Sequence, residues 1–180
     1  FGDAAGYHHL VNVAIHLANS ILVFLLIRQL CQWRTVSSAA AIALASALVF
    51  AVHPLRVESV AWIAARKDLL YALFFLVSIG FYIRYRKGER YAYIISIGAF
   101  LAALLSKSMA VTLPAVLLIL DLYLSRENSF RQNLIETLKH RLVEKLPYLL
   151  FSIGIAAVTL VTQSEAIGED KFTLIQQSKI

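Results

Sequence analysis

The chain has a single cysteine, Cys31, in 180 residues. That excludes an internal disulfide and leaves no thiolate cluster for a structural metal. Charge is scarce as well: Asp, Glu, Lys and Arg make up 16% of the chain, against about a quarter in soluble domains. A Gly-rich phosphate loop, a zinc-protease helix and a serine-nucleophile elbow are all missing, as are tandem repeats and low-complexity tracts. No signal peptide opens the chain. It starts at Phe1 instead of Met and closes on a polar run, Gln176 to Ile180, so we read it as a piece of a longer protein.

What remains is hydrocarbon. Hydrophobic residues reach 59%, the composition of an integral membrane chain. Apolar runs cover approximately Val11–Leu30, Ser37–Val52, Leu69–Ile83, Tyr91–Ser106, Met109–Leu124 and Leu146–Thr162. The expected fold is therefore all-α, a polytopic transmembrane bundle of about six spans. Several runs fall short of the ~20 residues of a perpendicular helix. Tyr82, Tyr85, Tyr91, Tyr93, Tyr123 and Tyr148 lie near run ends, as interfacial anchors do. Pro114 is expected to kink the fifth span.

The net charge of +6 raises the possibility of a nucleic-acid partner, but the distribution of the cations argues against one. Arg28, Arg34, Arg84, Arg86, Lys87, Arg90, Arg126, Arg131, Lys139, Arg141 and Lys145 all fall in alternate loops. Only Arg56, Arg66, Lys67, Lys107, Lys171 and Lys179 fall on the other side. The positive-inside rule places the first group in the cytoplasm and the stretch His53 to Asp68 outside. In the long fifth loop, Phe130, Leu134, Leu138 and Leu142 recur every fourth residue, the pattern of an amphipathic helix on the cytoplasmic surface.

The outer stretch collects His53, Arg56, Glu58, Trp62, Arg66, Lys67 and Asp68. Ionisable groups concentrated at a span end point to a polar or charged substrate. Pro54 suits a first helical turn, and a short juxtamembrane helix through Leu55 to Asp68 would stack Glu58, Trp62 and Arg66 at four-residue intervals. The bland alternative is a surface ion-pair network. Lys107, between Ser106 and Ser108, either snorkels to the interface or binds a phosphate. In the first span His9, Asn12, His16 and Asn19 share one helical face. They form either interhelical hydrogen bonds or a polar line toward a cavity. A metal site there is disfavoured, because His9 and His16 stand roughly 10 Å apart along the axis.

Three stretches resemble a known family: Gly6 to His16 with Asn19; His53-Pro54 with Val57 to Ile63 and Arg66 to Asp68; and Leu105 to Pro114. They are similar to the transmembrane and tetratricopeptide-repeat O-mannosyltransferases, with wording nearer the bacterial members. The resemblance implies that residues 1–180 belong to one transmembrane glycosyltransferase-like domain. Earlier spans and later tetratricopeptide repeats would lie outside it. The implied donor is a polyprenyl-phosphate-linked sugar such as mannose, and the implied acceptor is a protein hydroxyl on the extracytoplasmic side. The repeats would hold the acceptor protein. A divalent metal is compatible with that chemistry. The implied location is a bacterial inner membrane, with the His53–Asp68 loop periplasmic.

The main acidic motif of the family would lie upstream of Phe1, so Glu58 is expected to assist. Arg56, Arg66, Lys67 and Lys107 are expected to meet the lipid phosphate, with His53 hydrogen-bonding it. The alternative is a non-enzymatic membrane anchor that presents repeats for protein assembly. A transporter is disfavoured, since only the first run carries a polar stripe.

Overall fold

The computed structural model describes residues 2–125 and 142–162. Among them every regular element is a helix: α1 (Gly2–Trp33), α2 (Ala39–Val52), α3 (Val57–Ala61), α4 (Arg66–Arg86), α5 (Arg90–Ser106), α6 (Leu113–Leu124) and α7 (Leu142–Thr162). The six apolar runs thus all form helices. Three segments are long and apolar enough to cross a membrane, Gly6–Trp33, Arg66–Arg86 and Leu142–Thr162. A fourth crossing needs α2 to continue through Pro54–Ala61 over a 55° bend, and α5 and the segment Ser108–Leu124 are shorter. The expected cytoplasmic amphipathic helix lies outside the described residues, except for Leu142, which opens α7.

The breaks between helices have local causes. Gly88, at φ 106°, reverses the chain between α4 and α5, and its N–H caps the carbonyl of Tyr85 at 2.9 Å. Only glycine takes that backbone region without steric cost. Lys107 is extended and ends α5, and a 3₁₀ segment, Ser108–Thr112, follows it. Pro114 then stands in the first turn of α6. It starts that helix instead of kinking a longer one, because a first-turn proline has no hydrogen bond to lose.

Helix α1 packs against both α2 and α4. Toward α2 the contact is made by small side chains, with Ala39, Ala43 and Ala47 buried. The main core lies among α4, α5, α6 and α7, around Tyr82, Ile83, Phe100, Leu113, Leu117 and Tyr148. Polar groups cross-link it. Ser78 Oγ donates to the carbonyl of Ser96 at 2.8 Å, and Ser96 Oγ donates to the carbonyl of Ser78 at 2.7 Å. Such exchanges draw transmembrane helices together where hydrocarbon offers no competing partner.

A buried ion cluster lies one turn farther along α4, toward Arg86. Lys145 Nζ meets Asp121 Oδ2 at 2.6 Å, and the Tyr82 hydroxyl donates to Asp121 at 2.8 and 2.9 Å. Lys145 also contacts the Tyr82 hydroxyl, and Arg86 Nε lies 3.4 Å from Asp121 Oδ1. Lys145, which reads in the sequence as a loop cation, is therefore wholly buried. It opens the inward face of α7 and pairs there with the carboxylate of α6.

The two poles of the bundle are distinct. At one, Trp33 Nε1 donates to the carbonyl of Leu124 at 3.0 Å, and Tyr93 donates to the carbonyl of Glu144 at 2.7 Å. At the other, the start of α1 meets the 53–68 stretch, and Lys107 meets Asp68.

Candidate functional site

The 53–68 stretch is not one helix. It runs as a 3₁₀ turn (Pro54–Arg56), α3, an extended Trp62 at ψ 124°, a second 3₁₀ turn (Ile63–Ala65) and then α4. The stacking of Glu58, Trp62 and Arg66 is thereby lost. The cause lies on α1: Asn12 Nδ2 donates to the carbonyls of Val60 and Trp62 at 3.2 Å each. A continuous helix would spend those carbonyls internally. Here a buried amide takes them and the chain turns.

The rest of the α1 stripe does related work. His16 Nε2 bonds the carbonyl of Ala51 at 3.0 Å, and Asn19 Nδ2 donates to the carbonyl of Leu69 at 3.0 Å. Asn12, His16 and Asn19 therefore tie α1 to the loop, to α2 and to α4 in turn. That matches the interhelical reading of the stripe. His9, its fourth member, is exposed and faces a cavity.

The expected phosphate-binding cations separate into two kinds. Arg66 opens α4 and is engaged within the fold: Nε donates to Asn12 Oδ1 at 2.9 Å, and Nη2 donates to His8 Nδ1 at 3.1 Å and to the carbonyl of His8 at 3.3 Å. Sequence reasoning missed His8, although its i, i+4 spacing from Asn12 puts both on the face that meets Arg66. Lys107 is half-committed, its Nζ 2.6 Å from Asp68 Oδ1, with both side chains about one-third exposed (31% and 33%). Lys67 is exposed.

Arg56 is held against an aromatic ring instead. Its guanidinium lies over the Phe50 ring at 4.6 Å, and among the described residues it has no ion-pair partner. It borders three adjoining cavities. One of about 300 Å³ is lined by His9, His16 and His53 among others. A second, of about 500 Å³, includes His53 and Phe50. A third, of about 330 Å³, brings Arg56 together with Ser59, Asp68, Tyr71 and Lys107. Phe50, Phe75, Leu76 and Met109 give this third cavity an apolar part.

The structure thus brings His53, Arg56 and Lys107 around one group of cavities, while Arg66 stands apart as a strut. Glu58 is exposed at the surface of α3 and lies on none of these three walls. Among the described residues no group of three or more His, Cys, Asp or Glu is arranged to hold a metal ion. A cation over a half-apolar cavity is suited to an anion that carries a hydrocarbon tail.

No family model matches the chain, and no solved structure matches it. Curated proteins do. The protein O-mannosyl-transferase Tmtc1 of Drosophila melanogaster is 37% identical over 106 residues, 58% of this chain and 12% of that protein. Human protein O-mannosyl-transferase TMTC4 is 34% identical over 99 residues, 48% of this chain and 13% of that protein. Human TMTC1, of the same description, is 40% identical over 72 residues, 40% of this chain and 8% of that protein. The matched segments are about an eighth or less of the length of these relatives. Over that part of its length, this helical chain is similar to the protein O-mannosyl-transferases Tmtc1, TMTC1 and TMTC4.

Proposed function

We propose that this chain forms the donor side of a membrane glycosyltransferase site. The enzyme would pass a sugar, mannose or similar, from a polyprenyl-phosphate carrier to a protein hydroxyl on the extracytoplasmic side. The observation that carries this reading is Arg56, a cation without an ion-pair partner among the described residues, sharing a partly apolar cavity with Lys107. The carrier phosphate sits between the two cations. The first isoprene units lie against Phe50, Phe75, Leu76 and Met109.

The chemistry asks for two things. The departing lipid phosphate gathers negative charge as the glycosidic bond breaks, and fixed cations at low dielectric stabilise it. The acceptor hydroxyl must give up its proton to a carboxylate. In this reading Arg56 and Lys107 serve the first need and Lys67 adds to the field, with His53 lining the two adjoining cavities beside Arg56. Glu58 assists from the loop, and the principal base comes from a part of the protein that precedes Phe1. Tetratricopeptide repeats beyond Ile180 present the acceptor. The setting is a bacterial inner membrane, with the 53–68 stretch on the periplasmic side.

Full-length protein in detergent, supplied with radiolabelled polyprenyl-phosphate mannose, tests this reading. Arg56→Ala is expected to lose donor binding and turnover by tenfold or more, about the loss of one charged contact. Unchanged turnover in Arg56→Ala would remove it.

One observation favours a second reading, a membrane anchor that presents repeats for protein assembly. Arg66 is satisfied by Asn12 and His8, and Lys107 is paired with Asp68, as cations with purely structural duties are. No turnover with any carrier, together with retained binding of a partner protein by the full-length chain, would favour the anchor.

A further inference from the structure

The seam between α1 and α2 carries a feature that glycosyl transfer does not use. Ala39, Ala43 and Ala47 are buried against α1, so the two helices approach closely along this line. The larger neighbours are left standing as walls. Leu17 and Ile21 on α1, and Leu44 and Leu48 on α2, are all at least 50% exposed. Together with Ser20 and Phe24 they enclose a groove of about 360 Å³.

This groove has a polar end. Ala51 lines both the groove and the 300 Å³ cavity above it, whose wall carries His9, His53 and Arg56 and no carboxylate. Along α1 the combined feature runs from His9 to Phe24, about 22 Å at ~1.5 Å per residue. That is close to half of the ~40–45 Å thickness of a whole bilayer, the depth of one leaflet.

We propose that the α1–α2 seam holds one anionic phospholipid, its phosphate between His9, His53 and Arg56 and one acyl chain in the groove walled by Leu17 and Leu48. Length and charge both select this occupant. A chain much longer than a leaflet would overrun the groove at Phe24. A zwitterionic head group would set its ammonium among imidazole and guanidinium groups with no acid to receive it. The site does not depend on the donor reading, although Arg56 borders both cavities. A phospholipid here would hold that guanidinium in place beside the donor cavity.

The test uses full-length protein, with benzoylphenylalanine in place of Leu48, in bilayers of equal phosphatidylglycerol and phosphatidylcholine. After irradiation, mass spectrometry is expected to find the adduct enriched in phosphatidylglycerol on the order of fivefold, the worth of about one cation near an anionic head group. In the Arg56→Ala background the enrichment is expected to fall toward parity. Equal labelling of the two lipids without that substitution would reduce the groove to ordinary bilayer contact and overturn the proposal. An adduct with a protein segment, of this chain or another copy, would show that protein covers the seam and overturn it too. Enrichment that survives Arg56→Ala would overturn the head-group assignment. Native mass spectrometry of unsubstituted protein guards against a misfolded probe. One retained phosphatidylglycerol per chain is expected, and retention of neither lipid overturns the site. Sugar transfer is not read in any arm, so failure here leaves the donor reading standing.

Discussion

Asn12 holds the middle and the far end of the outer loop at once: Oδ1 accepts from Arg66 Nε at 2.9 Å, while Nδ2 donates to the carbonyls of Val60 and Trp62. One wholly buried side chain therefore satisfies a guanidinium and two backbone groups. Asn12→Ala leaves all three short of that partner in a half-buried site. It is expected to destabilise the bundle by about 2–3 kcal/mol, the range for a lost bond to a charged group. Unfolding of the full-length protein in detergent reads this directly. A change within about 0.5 kcal/mol, the scale of a neutral surface substitution, would refute the strut.

The helices were legible in the sequence, because long apolar runs bounded by basic residues have few other solutions in a bilayer. The course of the 53–68 stretch was not. Its own residues favour a helix, and the carbonyls that break that helix are claimed by an amide more than forty positions away, at a separation of 48 or 50 residues. Nor was the split among the cations legible. Arg56, Arg66 and Lys107 look alike as letters, and only the tertiary partners of Arg66 and Lys107 separate them from Arg56.

Lys145 shows the same limit at the other pole. It stands at the edge of an apolar run and reads as a loop cation, yet it is buried against Asp121 and Tyr82. Removing one member leaves the other buried without its nearest charged partner. Lys145→Met or Asp121→Leu alone is expected to cost about 3–5 kcal/mol. The double variant is expected to recover part of that loss, with Arg86 still deprived of the Asp121 carboxylate. A double-mutant cycle on detergent unfolding measures the coupling, and strictly additive losses would mean that the two charges do not act as a pair.

At the turn between α4 and α5, Glu89 Oε2 accepts from Tyr91 at 2.5 Å and from Arg84 Nε at 3.0 Å. The Tyr91 hydroxyl first, and then Arg84, hold the Glu89 carboxyl below the usual glutamate range. The folded value is depressed, so the contribution of this turn is fully present above the ordinary glutamate value. It is lost as pH falls through the lowered one. Glu89→Gln is therefore expected to melt slightly lower than the parent protein at neutral pH, with the gap closing under acid. A gap that stays constant down to the acid end would disprove the linkage.

The Lys107–Asp68 pair gives the sharpest test of the donor cavity, because the two readings of Lys107 predict opposite outcomes for a second substitution. Both side chains are about one-third exposed on the wall that Arg56 shares. If Lys107 meets the carrier phosphate, Lys107→Ala removes a cation and also bares the Asp68 carboxylate toward the anion. Donor affinity is then expected to fall tenfold or more, about 1.4 kcal/mol. Removing the acid as well, in Lys107→Ala with Asp68→Ala, takes away the repulsion and should restore part of the affinity. If the pair is only a clasp between the α5–α6 turn and α4, the double variant gains nothing in donor affinity over Lys107→Ala, and both lose thermal stability alike. Titration of full-length protein with a polyprenyl-phosphate sugar, beside a melting curve for each variant, distinguishes the two. Partial recovery of affinity without recovery of stability assigns Lys107 to the phosphate, whereas parallel losses in both assign it to the scaffold.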